Sequence, residues 1–386
     1  MAGAWHLRRA TVLPDDDGPR DLWIADGVIV DGPVAGATTL SDRCWVLPGL
    51  VDAHCHVGLG PDGAVSPETA RAQATADLAA GVMLIRDAGS PSDTRWIDDD
   101  PSLPRVIRAG RHIARPKRYL RNLGAEVEPE HLVEQVRHEA RAGDGWVKLV
   151  GDWINRDVGD LAPLWPADVA AQAIAAAHEE GARVTAHCFG EQAAAELVAA
   201  GIDCIEHGTG LTDDVIADMA ARGTALVPTM INLARFPMYA APAREKYPVY
   251  FAHMTDLYAR RKQTIGKAIE AGVGVYTGTD AGTVVPHGGI GEEIEEIADL
   301  AGATYALGAA SWRARPWLGA ANLEVGESAD LLVLDGDPRE DLSALFAPAP
   351  CCCAAPRLYA DQARLRPSAG DQGPRTARLR ACSSLG

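Results

Sequence analysis

The apolar run Trp45-Val46-Leu47-Pro48-Gly49-Leu50 leads directly into Val51-Asp52-Ala53-His54-Cys55-His56. In an extended strand alternate side chains share a face, so His54 and His56 project together while Cys55 turns away. Two neutral imidazoles on one face can chelate a divalent ion. A lone His-x-His pair is explained equally well by two exposed or hydrogen-bonded histidines. Further polar groups tip the balance, because they recur at the ends of later apolar runs. Lys148 lies in Trp146-Val147-Lys148-Leu149-Val150, His187 ends Val184-Thr185-Ala186-His187, His207 ends Cys204-Ile205-Glu206-His207, and Asp280 follows Val275-Tyr276-Thr277-Gly278-Thr279. Independent surface residues would not follow that rule.

A chain of 386 residues suits a barrel of about 250 residues with a modest accessory domain. Candidate strands begin near Leu47, Val82, Arg105, Trp146, Arg183, Asp203, Ala225 and Val273. Helical segments lie between them, with Ser66-Pro67-Glu68 and Thr212-Asp213-Asp214 as start signals and Gly81, Gly181, Gly201, Gly223 and Gly272 as stops. Eight such repeats predict an α/β fold, a (β/α)8 TIM barrel, whose covered strands read as nearly continuous apolar runs. In such barrels the active site lies at the C-terminal strand ends, where all six polar groups are predicted to fall. Leu22 to Ile29 reads as a hairpin around Asp26-Gly27, and Ala329 to Gly336 repeats the pattern after the barrel. Neither piece can bury a core alone, so residues 1–46 and 320–348 are expected to form one small composite β domain beside a barrel of residues 47–319.

The formal charge of −17 argues against a nucleic-acid or anionic-membrane partner. No apolar stretch approaches the roughly 18 residues of a membrane span. The N-terminus lacks a signal-peptide core, so a cytoplasmic location is expected. Cys44, Cys55, Cys188 and Cys204 show neither disulfide-framework nor Cys-x-x-Cys spacing and read as reduced core residues. Residues 349–386 break the pattern: Cys351-Cys352-Cys353 is followed by an arginine-rich, proline-containing stretch. Adjacent side chains do not converge on one ion, so this tail is expected to be divergent, frame-shifted or poorly ordered.

Pro48 to His56, Lys148, His187, Ile205-Glu206-His207-Gly208, Thr279-Asp280-Ala281-Gly282 and Ala329 to Leu334 together resemble the amidohydrolase superfamily, in its imidazolonepropionase-like and prolidase-like branch. The resemblance covers residues 1 to about 345. It implies a hydrolase acting on C–N bonds in amides, cyclic amides, N-acyl amino acids or dipeptides, and a small-molecule substrate. It gives His54, His56 and Asp280 to one divalent ion, His187 and His207 to a second, and Lys148 to a bridging, N-carboxylated role. Two ions are implied, zinc first among them, with iron, manganese or nickel as alternatives. Asp280 would act as general base and then acid as a hydroxide held between the ions attacks the carbonyl. The alternative for Lys148 is a pairing with an acid such as Asp152.

Other readings stay open. A mononuclear, imidazolonepropionase-like enzyme would open a cyclic amide, and a catalytically silent metal-binding barrel would do no chemistry. The basic loop Arg111 to Arg121 offers a carboxylate contact, with Arg115 and Tyr119 as candidates, or a solvated loop or subunit contact in a homo-oligomer. His112 and His253 are candidate substrate contacts or satisfied structural histidines. Residues 229 to about 251 form a long connection, with Phe236, Tyr239, Tyr247 and Tyr250, suited to a lid or a subunit contact. Ile297 to Trp317 is shorter than the last helices usual in such a family.

Overall fold

The computed structural model describes residues 3–15 and 17–346 and the backbone of Cys352–Cys353. The rest of the unusual tail lies outside the described residues. Leu50–Cys55, Val82–Asp87 and Arg105–Arg108 form a three-stranded parallel sheet. Ile113–Ala114, Trp146–Val150, Arg183–Cys188, Cys204–His207 and Ala225–Val227 run parallel in a second sheet, edged by Ala125–Glu126. Helices Pro67–Ala79, Leu132–Ala142, Ala167–Glu179, Glu191–Ala199, Asp213–Arg222, Pro248–Glu270 and Ile290–Ala301 alternate with these strands. The start signals act as expected: Ser66 accepts from Thr69 N–H at 3.3 Å, and Thr212 from Val215 N–H at 3.5 Å. Gly223, at φ 76°, ends its helix in the left-handed region that L side chains avoid.

Two strand expectations change. The run from Trp45 divides at Gly49, so that Trp45–Pro48 joins an outer sheet and Leu50–Cys55 the parallel one. The segment from Val273 makes isolated bridges instead of a continuous strand. On one side Leu226 N–H donates to Gly274 O (2.9 Å) and Tyr276 N–H to Leu226 O (3.0 Å). On the other, Ala53 N–H donates to Thr277 O (2.9 Å) and Asp280 N–H to His54 O (2.6 Å). Side chains replace further ladder bonds, with Thr277 Oγ1 donating to Val51 O (3.1 Å) and Thr279 Oγ1 to Asp52 Oδ2 (2.6 Å). The segment therefore lies between the last strand of one sheet and the first of the other, and carries Asp280 to the side of His54.

The outer sheet has the order Cys352–Cys353, Leu331–Leu334, Trp45–Pro48, Ala4–Val12, Arg20–Ala25, Val28–Val30, with Thr38–Asp42 beside Ala4–Val12. Asp26 and Gly27 both have positive φ, as a two-residue hairpin turn requires. The short Cys352–Cys353 backbone pairs with Leu331–Leu332 at the edge of this sheet. Strand alternation divides this sheet between two cores. Val46, Leu331 and Val333 pack with Leu7, Leu22, Ile24 and Ile29, whereas Leu47, Leu332 and Leu334 face the main core. The connection after residue 229 is helical, with Met230–Leu233, Phe236–Ala240 and Ala241–Ala243 preceding the long helix Pro248–Glu270. Ile297 to Trp317 holds the end of helix Ile290–Ala301, helix Ala303–Ala310 and the turn Ala314–Trp317.

Gly278 sits where two strands meet: a Cβ there would come 2.5 Å from Val227 Cγ1 and 2.8 Å from His54 Cβ. Replacement by alanine is expected to cost about 1–3 kcal/mol through overpacking. A lower urea midpoint with an unchanged slope would show it; an unchanged midpoint would contradict this close approach.

Candidate functional site

His54, His187 and His207 near the ends of their parallel strands, His56 just past its own, Lys148 in mid-strand and Asp280 on the bridged segment come together. Asp280 Oδ1 lies 3.2 Å from His54 Nε2 and 3.1 Å from His56 Nε2. Its Oδ2 lies 4.0 Å from His207 Nε2. The rings of His54 and His207 are 5.3 Å apart, and those of His187 and His207 4.7 Å. Lys148 Nζ, on the central residue of its strand, approaches His54 Nε2 at 3.5 Å. It does not turn to Asp152, whose carboxylate accepts from Phe189 N–H and Gly190 N–H. Burial pulls the Lys148 ammonium below its ordinary range.

Positive backbone angles help to aim these groups. His207 (φ 67°) and Asp280 (φ 56°) are L residues in the left-handed region. At His207 the chain makes a tight turn, with Gly208 N–H donating to Glu206 O at 2.8 Å. The turn interrupts strict strand alternation just where Glu206 and His207 both serve the site. Such strain persists only where the surroundings over-determine it, and it gathers at functional sites.

Three of the four imidazoles are oriented by an outer partner, the arrangement that leaves the opposite nitrogen free for a metal. His54 Nδ1 meets Glu206 Oε2 at 2.8 Å, His56 Nδ1 meets Gly89 O at 2.7 Å, and His207 Nδ1 meets Thr229 Oγ1 at 2.7 Å. Glu206 is fully buried and also accepts from Arg86 Nη2 (2.5 Å) and from Thr185 Oγ1. Burial alone would raise its carboxyl, but Arg86, His54 and Lys148 hold it well below the usual range. Burial likewise opposes ionisation of Asp280, and His54, His56 and His207 overcome it. Among the described residues His187 Nε2 is buried with no hydrogen-bond partner, 3.8 Å from Asp152 Oδ1, and burial, then His207 and Lys148, pushes the ring well below its ordinary pKa. An orphaned imidazole nitrogen beside a converging carboxylate fits a cation better than it fits a packed core. The ligand atoms of His54, His207 and Asp280 already lie within 4.8 Å of one another.

The expected substrate contacts separate. His112 is 2% exposed, its ring close to the Gly89 backbone and without a well-formed hydrogen bond among the described residues, 6.1 Å ring to ring from His56. Burial, then His56 and Lys148, lower its pKa to about 3. Tyr119 packs between the rings of His112 (5.3 Å) and His187 (5.8 Å). Arg115 instead pairs with Glu128 at 3.1 Å. Both nitrogens of His253 are committed, to Asp160 (2.9 Å) and Glu191 (3.0 Å), joining the long helix to the hairpin Asp152–Pro163 and helix Glu191–Ala199.

A second close set, Cys55, Asp77 and His287, serves a clamp. Asp77 accepts from His287 Nδ1 and Gly288 N–H, both at 2.8 Å, pinning the loop after Asp280 to helix Pro67–Ala79. Cys55 is wholly buried, and burial drives its thiol well above the ordinary value, so it is a poor source of thiolate.

The sequence profile of the amidohydrolase family matches residues 45–353. The chain belongs to the amidohydrolase family. It is thus a hydrolase of C–N bonds in small-molecule substrates, from a family that generally uses divalent metals. This amidohydrolase is 56% identical over 342 residues to an uncharacterized protein of Mycobacterium tuberculosis, covering 88% of this chain and 92% of the relative. It is similar to a putative prolidase from Bifidobacterium longum (TM-score 0.75, 25% identity, 94% of this chain and 98% of that one). A Xaa-Pro dipeptidase with methionine in its active site (TM-score 0.73, 22% identity, 89% and 96%) and A. niger ochratoxinase (TM-score 0.72, 20% identity, 89% and 92%) share its fold. With the strand-helix alternation, these likenesses show a TIM-barrel-type fold with an extra domain. Among the described residues no helix is long and apolar enough to cross a membrane.

Sequence reasoning assigned no role to Glu206, Arg86, Thr229 or Asn232. A signal existed for the first two, since an acid or base inside an apolar parallel strand must find a buried partner. None existed for the others, which lie in a connection read as a loop.

The His253 clasp has a pH signature. Its hydrogen bond to Glu191, together with Asp160, raises its pKa from 6.5 to about 9, although burial opposes this. A folded pKa above the unfolded one means stabilisation that is complete below pH 6.5 and lost as pH rises through about 9. The melting-temperature difference between wild type and His253→Gln is expected to shrink across that window; a constant difference would refute the clasp.

Proposed function

We propose that this amidohydrolase is a binuclear metal-dependent enzyme that cleaves the amide bond of an N-acyl amino acid or dipeptide. The observation that carries the reading is the meeting of His54 and His56 on one oxygen of Asp280, with Lys148 buried against His54 and His187 Nε2 without a hydrogen bond among the described residues. In this reading His54, His56 and Asp280 hold one divalent ion and His187 and His207 hold the other. Lys148 joins the two once carboxylated. Its lowered pKa favours that change, because only the neutral amine can add carbon dioxide, losing a proton to become a carbamate. Zinc suits the imidazole and carboxylate set, and iron, manganese or nickel are accepted by the same ligands.

Bound there, the ions supply an activated water and polarise the scissile carbonyl. The remaining work falls to the chain. The Asp280 side chain is 19% exposed, so it is reachable from solvent. It accepts the proton of the attacking water and delivers it to the leaving nitrogen. His112, neutral at pH 7, and Tyr119 line the approach and contact the substrate. Arg115 and His253 are engaged elsewhere and have no part. Residues 273–280 are read as closing an eight-stranded barrel over residues 47–319, and residues 1–46 and 320–348 as the extra β domain.

One observation favours a mononuclear alternative acting on a cyclic amide: the ligand atoms already within 4.8 Å of one another belong to His54, His207 and Asp280, enough for one ion. A panel of dipeptides, N-acyl amino acids and cyclic amides, assayed with metal and after chelation, separates the readings. Open-chain turnover that is lost on chelation and restored by zinc supports the proposal; turnover confined to cyclic amides supports the alternative, and chelator-insensitive turnover contradicts both. Asp280→Asn is expected to lower kcat by about 10²–10⁴ with little change in KM. An unchanged kcat would remove Asp280 from the chemistry.

A further inference from the structure

The two oxygens of Asp280 have different surroundings. Oδ1 faces His54 and His56, whereas Oδ2 accepts from Asn232 Nδ2 at 2.6 Å. Asn232 is 6% exposed, and its own Oδ1 accepts from Tyr239 Oη at 2.6 Å. Charge dictates this direction: an ionised carboxylate only accepts, so the amide must turn its NH2 to Asp280 and its carbonyl to the phenol. The turn bearing Asn232 is itself fastened. Glu293 accepts from Met230 N–H (2.9 Å) and Ile231 N–H (3.0 Å), and Thr229, at φ 50°, holds His207 Nδ1 from the residue before that turn. One short segment therefore holds two members of the site, His207 through Thr229 and Asp280 through Asn232.

We infer that Asn232, oriented by Tyr239, is a positioning residue that fixes the rotation of the Asp280 carboxylate, keeping Oδ1 toward His54 and His56 and Oδ2 on the Asn232 and His207 side. The backbone of Asp280 is already anchored by its N–H to His54 O, so the side-chain torsions are the freedom left. Asn232 removes that freedom at the cost of no charge. This inference rests on the reading of Asp280 as ligand and proton carrier.

The test uses the full chain as wild type, Asn232→Leu, Tyr239→Phe and Asp280→Asn, with zinc affinity measured by chelator competition and kcat and KM on a substrate found in the panel. Asn232→Leu is near-isosteric and is expected to weaken zinc binding or lower kcat by about 10–100-fold, the range seen when a ligand's outer partner is lost, with KM little changed. Tyr239→Phe removes a single hydroxyl from a half-buried ring. It should keep its melting temperature and shift the same quantities in the same direction by a smaller factor. If Asp280→Asn loses zinc affinity or turnover while Asn232→Leu and Tyr239→Phe stay within about twofold of wild type, the positioning role is wrong and the functional reading survives. If Asp280→Asn matches wild type in both quantities, that reading fails and this inference with it. Should Asn232→Leu not fold, Tyr239→Phe decides alone, and an unchanged variant overturns the inference.

Discussion

Among the strands, the chain Arg86–Glu206–His54 is the constraint on which the site depends. All three side chains are at most 1% exposed. A charge so placed must be paired, since an isolated buried ion costs several kcal/mol even after relaxation. Arg86 answers this on both sides: its guanidinium reaches Glu206, and its plane lies 4.6 Å from the Trp146 ring and 5.3 Å from that of Trp317. Glu206 thus stays ionised and holds His54 Nδ1, which turns His54 Nε2 toward Asp280 and Lys148. Removal of Arg86 would leave Glu206 without its cation in the interior, and removal of Glu206 would strip both Arg86 and His54 of their shared carboxylate.

Much of the architecture was legible from period and position. The apolar runs from Val82, Trp146, Arg183 and Ala225 are strands covered on both faces almost throughout, that from Arg105 is an edge strand with Arg105 exposed, and the caps at Ser66 and Thr212 start helices that help to cover them. The gathering of His54, His56, Lys148, His187, His207 and Asp280 was legible for the same reason, since parallel strands carry their C-terminal ends to one rim. The alternation rule fails where the backbone leaves extended geometry. At Val273 to Asp280, side-chain hydroxyls and two glycines replace a regular ladder, and no local pattern announces that.

What could not be read were the contacts made across long stretches of chain. Asn232 meets Asp280 from 48 residues away, and Glu206 meets His54 from 152. Asn232 carries no mark in its own neighbourhood, and Glu206, though marked as an acid inside an apolar strand, gives no local sign of which residue it meets, because a hydrogen bond of this kind is a property of the packed fold. The same holds for Arg115 and His253, whose types suited substrate contact but which found carboxylates nearer, in Glu128 and in Asp160 with Glu191. Residue type proposes a role, and competition among neighbours decides it. His112 is the contrasting case, buried beside His56 with no carboxylate partner for its ring among the described residues.

The binuclear account is tested most directly by counting metal ions per chain, by elemental analysis of the purified wild type and of Lys148→Ala grown with carbon dioxide and zinc in supply. The account predicts two ions in the wild type and one or none in the variant. One ion in both proteins would contradict the bridging lysine and leave a mononuclear centre in its place.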